Sequence, residues 1–170
     1  MPEPQVVAVD RLVADDWQSY RAIRLAMLRE SPAAFCSTHD EVVTYDEQLW
    51  KQRLTDNVVL VAQVDRVTAG SVMFSEHGAT DPGDCSLNGM WVDPAFRRTG
   101  VAHALVHAVV AQARTAGKRC VLLHVVADNT AARALYEREG FVATGHVGPY
   151  PGDDQPVEIE MCLELDNSSR

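Results

Sequence analysis

Met90-Trp91-Val92-Asp93-Pro94-Ala95-Phe96-Arg97-Arg98-Thr99-Gly100-Val101-Ala102 places a strand end, a tight loop and a helix start in succession. The first turn of a helix leaves its amide N–H groups unpaired, so the amides around Arg98 to His103 can converge on an anion, aided by the helix macrodipole. Gly100 permits close backbone approach, and the small Ala102 leaves room beside it. Arg97 and Arg98 bring local positive charge to this point. Two familiar phosphate loops do not fit: there is no Gly-Lys-Ser/Thr and no GxGxxG after a first strand.

On the C-terminal side, Ala102, Leu105, Val106, Val109 and Ala113 fall on one helical face, His103, His107 and Arg114 lie on another, and Gly117 fits a C-terminal stop. Cys120 to Val126 reads as a buried strand, and Asn129 to Glu139, ended by Gly140, as a second helix. Phe141 to Val147 and Val157 to Leu165 read as strands flanking a turn-rich stretch from Gly148 to Pro156. On the N-terminal side, Val6 to Leu12 predicts a strand, and Asp15 or Asp16 caps a helix that Ser31-Pro32 stops. A short helix is predicted from Asp46 to Leu54. Val58 to Val64 and Thr68 to Phe74 form a hairpin pair around Asp65-Arg66-Val67, without the favoured Asn-Gly turn. Cys85 to Val92 is the strand that feeds the quoted loop.

Arg97-x-x-Gly100-x-Ala102 resembles the signature of the GNAT superfamily of N-acetyltransferases, Gln/Arg-x-x-Gly-x-Gly/Ala at the start of the helix after the fourth strand. The resemblance continues at Asn129-x-x-Ala132-x-x-x-Tyr136-Glu137-x-x-Gly140-Phe141, similar to the family's later helix and following strand. It implies an α/β (α+β) fold, with a mixed, mostly antiparallel central sheet of about six to seven strands flanked by about four helices. It also implies acetyl-CoA as cosubstrate. The amides around Arg98, Gly100, Ala102 and His103 would hold the CoA pyrophosphate, with Arg97 beside them. Met90 and Val92 would hydrogen-bond the pantetheine as a pseudo-strand, Asn129 would bind it as well, and Tyr136 would lie near the CoA sulfur. Residues 129 and 136 stand about two helical turns apart, roughly 10 Å, so they share one side of the helix.

Acetyl transfer to an amine needs a neutral amine, a stabilised oxyanion at the thioester carbonyl and a proton for the departing thiolate. Tyr136 is the candidate acid. An alkylammonium with a pKa near that of lysine, roughly 10.4, must lose a proton before it attacks. Many members of the family carry a glutamate on the fourth strand for this, whereas Leu87 to Met90 has no carboxylate. His124 is the leading candidate base: Leu122 to Asn129 resembles the fifth-strand segment of protein N-terminal acetyltransferases, where a glutamate occupies the matching place. A histidine hydrogen-bonded within the sheet is the alternative for His124, and a packing tyrosine the alternative for Tyr136. Glu76, His77 and Asp84 are outside candidates for the base. In the family the acceptor groove spans positions matching Leu28 to Trp50 and Gly148 to Pro156. Phe35, Tyr45, Trp50 and Tyr150 are its candidate walls, and Asp40, Glu41, Asp153 and Asp154 its candidate amine attractors, with core packing or a solvated loop as the alternative for each.

The 170 residues suit one domain, expected over 1–165, with a frayed tail beyond it. The formal charge of −9 argues against nucleic acid and anionic membrane as partners and favours a cationic acceptor at long range. A homodimer is compatible with these observations. No apolar run approaches a membrane span and the start lacks a signal-peptide pattern, so the cytoplasm is expected. Cys36, Cys85, Cys120 and Cys162 have no metal-type spacing and read as reduced core residues. His103 and His107 stand at i, i+4 spacing on a polar face with no third ligand in the sequence pattern, which assigns them to solvent and predicts no metal. The function expected is acetylation of a small primary amine by direct attack in a ternary complex. The competing readings are a protein N-terminal or lysyl acetyltransferase and a non-catalytic acyl-CoA sensor.

Overall fold

The computed structural model describes residues 6–77, 79, 81–148 and 157–166. A sheet of seven strands is ordered β1-β2-β3-β4-β5-β7-β6, where β1 is Val7–Leu12, β2 Val58–Val64, β3 Val67–Ser75, β4 Asp84–Val92, β5 Cys120–Val126, β6 Val142–Val147 and β7 Glu158–Glu164. Every pairing is antiparallel except β4 with β5. The helices are α1 (Trp17–Glu30), α2 (His39–Val42, a single turn), α3 (Glu47–Asp56), α4 (Val101–Thr115) and α5 (Thr130–Arg138). This is the mixed, mostly antiparallel architecture expected from the sequence.

β2 shows why the sheet needs helices on both faces. Successive side chains of a strand point to opposite sides, and in β2 nearly all of them are buried. Val58, Leu60, Ala62 and Val64 join the core formed with Val101, Leu105, Val106, Val109 and Ala113 of α4. Val59 and Val61 face the other way, into a second core with Tyr20, Ile23, Met27, Leu28, Trp50 and Leu54 from α1 and α3. The β2–β3 turn closes in two residues, with Asp65 at φ 50° and Arg66 at φ 67°. Both central residues therefore have the positive φ of a type I′ turn, which matches strand twist without the usual Asn-Gly.

Trp50 belongs to this second core and is fully buried, edge-on to Tyr20 at 5.4 Å between ring centroids. It is not a groove wall. Trp50→Ala should lower unfolding stability by about 3–5 kcal/mol, the usual cost of truncating a buried aromatic. Denaturant titration at unchanged slope would measure the loss, and a shift below about 1 kcal/mol would contradict this placement.

The cysteine expectation is corrected for two of the residues. Cys120 and Cys162 are joined by a disulfide, with Cα atoms 6.4 Å apart. The register explains the meeting: Cys162 lies opposite Leu122 and Cys120 opposite Glu164, so the two are diagonal neighbours across β5 and β7. Cys36 and Cys85 are free, and burial pushes the Cys85 thiol up to about 11, so it is held as the inert neutral form.

Candidate active site

The site is opened by the sheet itself. β4 and β5 pair only over Asp84–Ser86 with Cys120–Leu122 and then part, leaving the rest of β4 without a partner on that side. A bulge adds to the divergence: Ser71 pairs with Trp91 but Met73 with Asn88, and Gly89 takes φ 58° within the extra segment. The cleft so formed has a volume of about 360 Å³. Arg24, Phe35, Gly89, Met90, His124 and Tyr136 are among its lining residues, and Asn129 lies on it as well. An unpaired strand edge beside an apolar cleft can hydrogen-bond an extended amide chain.

Beyond the cleft, Val92 leads through Asp93, whose carboxylate accepts the Ala95 amide at 2.9 Å, into the loop before α4. Arg98 at φ 65° and Gly100 at φ 90° alternate with a residue of ordinary φ, a pattern that turns successive amides toward one concave side. The first helical bond is Ala104 N–H to the Gly100 carbonyl, 3.0 Å, which leaves the Val101, Ala102 and His103 amides unpaired within the helix. A Cβ on Gly100 would meet nothing within 4 Å, so the space over the helix start is open. The residues present therefore fit a pyrophosphate.

Arg97 does something the sequence pattern did not indicate. Its Nη2 donates to Glu30 Oε2 at 2.8 Å and its Nε to the Val92 carbonyl at 3.1 Å. Trp91 Nε1 donates to the same Glu30 oxygen at 2.9 Å. Hydrogen bonds from Ser31, then from Trp91 and Arg97, hold the Glu30 carboxyl below the usual carboxylate range against the opposing effect of burial. The guanidinium thus braces the loop against the end of α1, and Arg98, exposed, is the cation left at the helix start.

His103 and His107 also make a contact that the sequence pattern did not indicate. A third group does join them: Glu139 Oε1 lies 2.7 Å from His103 Nδ1, and Oε2 3.2 Å from His107 Nε2. The three ligand-type atoms lie within 4.8 Å of one another. Both rings are exposed to solvent as expected, and the correction is the third group: Glu139, largely buried, uses both oxygens on the rings and ties α4 to the end of α5.

His124 stands directly opposite Glu160 in the β5–β7 ladder, with Nε2 3.4 Å from Glu160 Oε2. Glu160 Oε1 accepts from Thr144 Oγ1 at 2.8 Å, so the carboxylate beside the imidazole is held from the far side. Asn129 caps α5, its side-chain oxygen accepting the Ala132 amide at 3.1 Å. Tyr136 is almost wholly buried and packs on Phe141 at 5.7 Å. Its hydroxyl makes no hydrogen bond to another described residue, and burial pushes the phenol up, keeping it protonated. Glu158 and Glu160, both unremarked in the sequence reading, flank this end of the cleft, and Glu158 lines it. The alternation Glu158-x-Glu160 opposite a strand histidine is the signal that would have found them.

Of the expected acceptor walls, Phe35 lines the cleft, Tyr45 packs on Trp50 at 5.5 Å, and Tyr150 lies outside the described residues. Asp40 and Glu41 are not in the lining, and Glu41 is engaged by the Tyr45 hydroxyl at 2.9 Å. Asp153 and Asp154, like the tail after Asp166, lie outside the described residues. Glu76 pairs with Lys118 at 3.0 Å and Asp84 with Arg119 at 3.6 Å, and neither they nor His77 line the cleft.

A sheet that parts beside a helix start with unpaired amides is the arrangement that the resemblance to the N-acetyltransferases implies, and sequence comparison agrees. Residues 20–141 match the Acetyltransferase (GNAT) family, and the chain belongs to that family. A mycothiol acetyltransferase of Geodermatophilus obscurus is 40% identical over 75 residues, a match covering 42% of this chain and 24% of that protein. Among solved structures, yncA of Salmonella typhimurium, with its cofactor acetyl-CoA, superposes with a TM-score of 0.75 at 20% identity, covering 97% of each chain. A GNAT-family acetyltransferase from Streptococcus pneumoniae gives a TM-score of 0.77 at 16% identity over 94% of this chain and 99% of that one. The Escherichia coli ribosomal-protein-S18-alanine N-acetyltransferase gives 0.68 at 20% identity over 96% and 97%. No helix among the described residues is long and apolar enough to cross a membrane.

Proposed function

We propose that the protein transfers the acetyl group of acetyl-CoA to the primary amine of a small molecule by direct attack in a ternary complex. The observation that carries this reading is the convergence on one cleft of an open strand edge, His124 and Tyr136, next to the amide cradle at the start of α4. Acetyl-CoA supplies the activated thioester. The amides of Arg98, Gly100, Ala102 and His103 hold its pyrophosphate, while the Met90 and Val92 backbone and Asn129 hold the pantetheine. The Val92 amide steadies the oxyanion that develops on the thioester carbonyl.

His124 takes the proton from the ammonium, with Glu160, 3.4 Å from its Nε2, orienting the ring. Tyr136 donates a proton, or a strong hydrogen bond, to the departing thiolate. The partial match to a mycothiol acetyltransferase supports the transferase reading and leaves the acceptor to experiment. The compartment proposed is the cytoplasm.

Release of free thiol from acetyl-CoA, screened across small amines and N-terminal peptides, tests the reading. A small amine should turn over and peptides should not; turnover of peptides alone would move the protein to the protein-acetylating class. With a working acceptor, His124→Ala should slow turnover by roughly 10²-fold near neutral pH and recover part of that loss at high pH, where more amine is already neutral. A rate profile parallel to wild type would return His124 to a role in the sheet.

A further inference from the structure

Arg24, on α1, lines the end of the cleft beside Phe35 and Cys36, and its environment is not that of a structural arginine. Its Nε is buried with no hydrogen-bond partner, and Nη1 has only the Met27 sulfur, at 3.7 Å. The guanidinium carbon lies 5.5 Å from the centre of the Phe35 ring. Among the described residues no carboxylate forms an ion pair with it. A second cation, Arg53, acts on it, and the Nε of Arg53 is likewise buried without a partner. Burial pushes the Arg24 guanidinium down from its ordinary value; Tyr20, and less so Tyr45 and Cys36, oppose this, while the like charge of Arg53 works with burial.

A cation taken out of water is costly unless an anion and full hydrogen bonding replace the lost solvation. Among the described residues nothing offsets that cost by an ion pair, and Arg24 lies on a cleft that a ligand can reach. A guanidinium offers a planar fork of donors that fits a carboxylate with two parallel bonds, and a cleft of about 360 Å³ leaves room for an amino-acid-sized molecule next to a thioester arm. We propose that Arg24 binds a carboxylate on the acceptor, so that the substrates are amino acids or related amines bearing an acidic group. This rests on the amine-acetyltransferase reading above and names its substrate class.

The charge of −9 does not oppose it. Salt screens the general field of the chain over about 8–10 Å, whereas the contact with Arg24 is made inside the cleft at hydrogen-bond range. The acidic residues expected from the sequence to draw in a cation, Asp40 and Glu41, are not among the residues lining the cleft.

The test compares α-, β- and γ-amino acids with their carboxamides, by turnover with acetyl-CoA and, separately, by thermal shift in the presence of CoA. The best carboxylate should exceed its carboxamide by roughly 10²- to 10⁴-fold in kcat/KM, because the amide leaves the guanidinium unpaired. Arg24→Met should erase that preference while the thermal shift given by acetyl-CoA stays as in wild type, and Arg24→Lys should retain part of it. With no ligand, Arg24→Met should melt at or above the wild-type temperature, since it removes a half-buried charge that has no ion-pair partner among the described residues. Equal use of acid and amide by the wild type would overturn the proposal, as would a preference that survives Arg24→Met. A marked fall in the unliganded melting temperature of Arg24→Met would also overturn it, by showing that the guanidinium is already paired within the fold. If no amine of any kind turns over, the functional reading fails, and the thermal-shift comparison of acids with amides still decides the role of Arg24.

Discussion

Tyr136→Phe should bind acetyl-CoA as the wild type does and turn over about 100-fold more slowly, within a range of ten- to a thousand-fold. The substitution removes one hydroxyl and leaves the ring, which is held edge-on by Phe141 at 5.7 Å. Packing is thus kept, and the lost group is one that makes no hydrogen bond to another described residue and faces a cleft. Burial keeps the phenol protonated at every pH at which the enzyme would be assayed, so the wild type has a donor in place throughout that range. No recovery at high pH is expected, in contrast to His124→Ala, because the missing proton is one to be given rather than taken. The measurement is kcat and the KM for acetyl-CoA with a working acceptor, after circular dichroism has shown the variant folded. Turnover equal to wild type would reduce Tyr136 to a packing residue.

Gly100→Asp should abolish the rise in melting temperature that acetyl-CoA gives the wild type. Ligand present at a hundred times its Kd stabilises a protein by about 2.7 kcal/mol, a shift that is readily seen. A carboxylate placed about 4 Å from a pyrophosphate oxygen opposes it by about 4 kcal/mol per charge pair at an effective dielectric near 20, enough to weaken binding roughly a thousandfold. The backbone adds a separate effect, since Gly100 sits at φ 90°, where a side chain costs about 1 kcal/mol or more. Gly100→Ala separates the two. It carries the backbone cost without the charge, and a Cβ at this position meets nothing within 4 Å. Alanine should therefore lower the melting temperature of the free protein and keep most of the acetyl-CoA shift, whereas aspartate should lose it. A full shift in Gly100→Asp would place the cofactor's phosphates elsewhere.

The cradle at the start of α4 was legible because everything that makes it is close along the chain. A strand end, Pro94, Gly100 and the apolar spacing of Leu105, Val106, Val109 and Ala113 specify a loop-to-helix turn with no reference to the rest of the molecule. The same holds for the Asn129 cap and for the place of Tyr136 on α5. Trp50 was not legible in this way, since an aromatic on the apolar side of a short helix suits a groove wall and a core equally, and only the packing of α1 and α3 on β2 buried it. The bracing contact of Arg97 was hidden for a related reason. Its charge beside the loop was legible, whereas its partner, Glu30, lies 67 positions away in the chain.

The sequence by itself therefore determined the order of strands and helices, the family and the local geometry that presents unpaired amides to an anion, because each depends on residues within a few turns of one another. Tertiary structure alone decided which side chains share the cleft. The β5–β7 register set Glu160 beside His124 and Cys162 within reach of Cys120, and the packing of α4 against α5 brought Glu139 to two histidines. The parting of β4 from β5 let Arg24 of the first helix line a space with His124 and Tyr136. Such meetings depend on strand register and on the balance of burial against solvation over the whole chain, and neither leaves a periodic mark on the residues concerned.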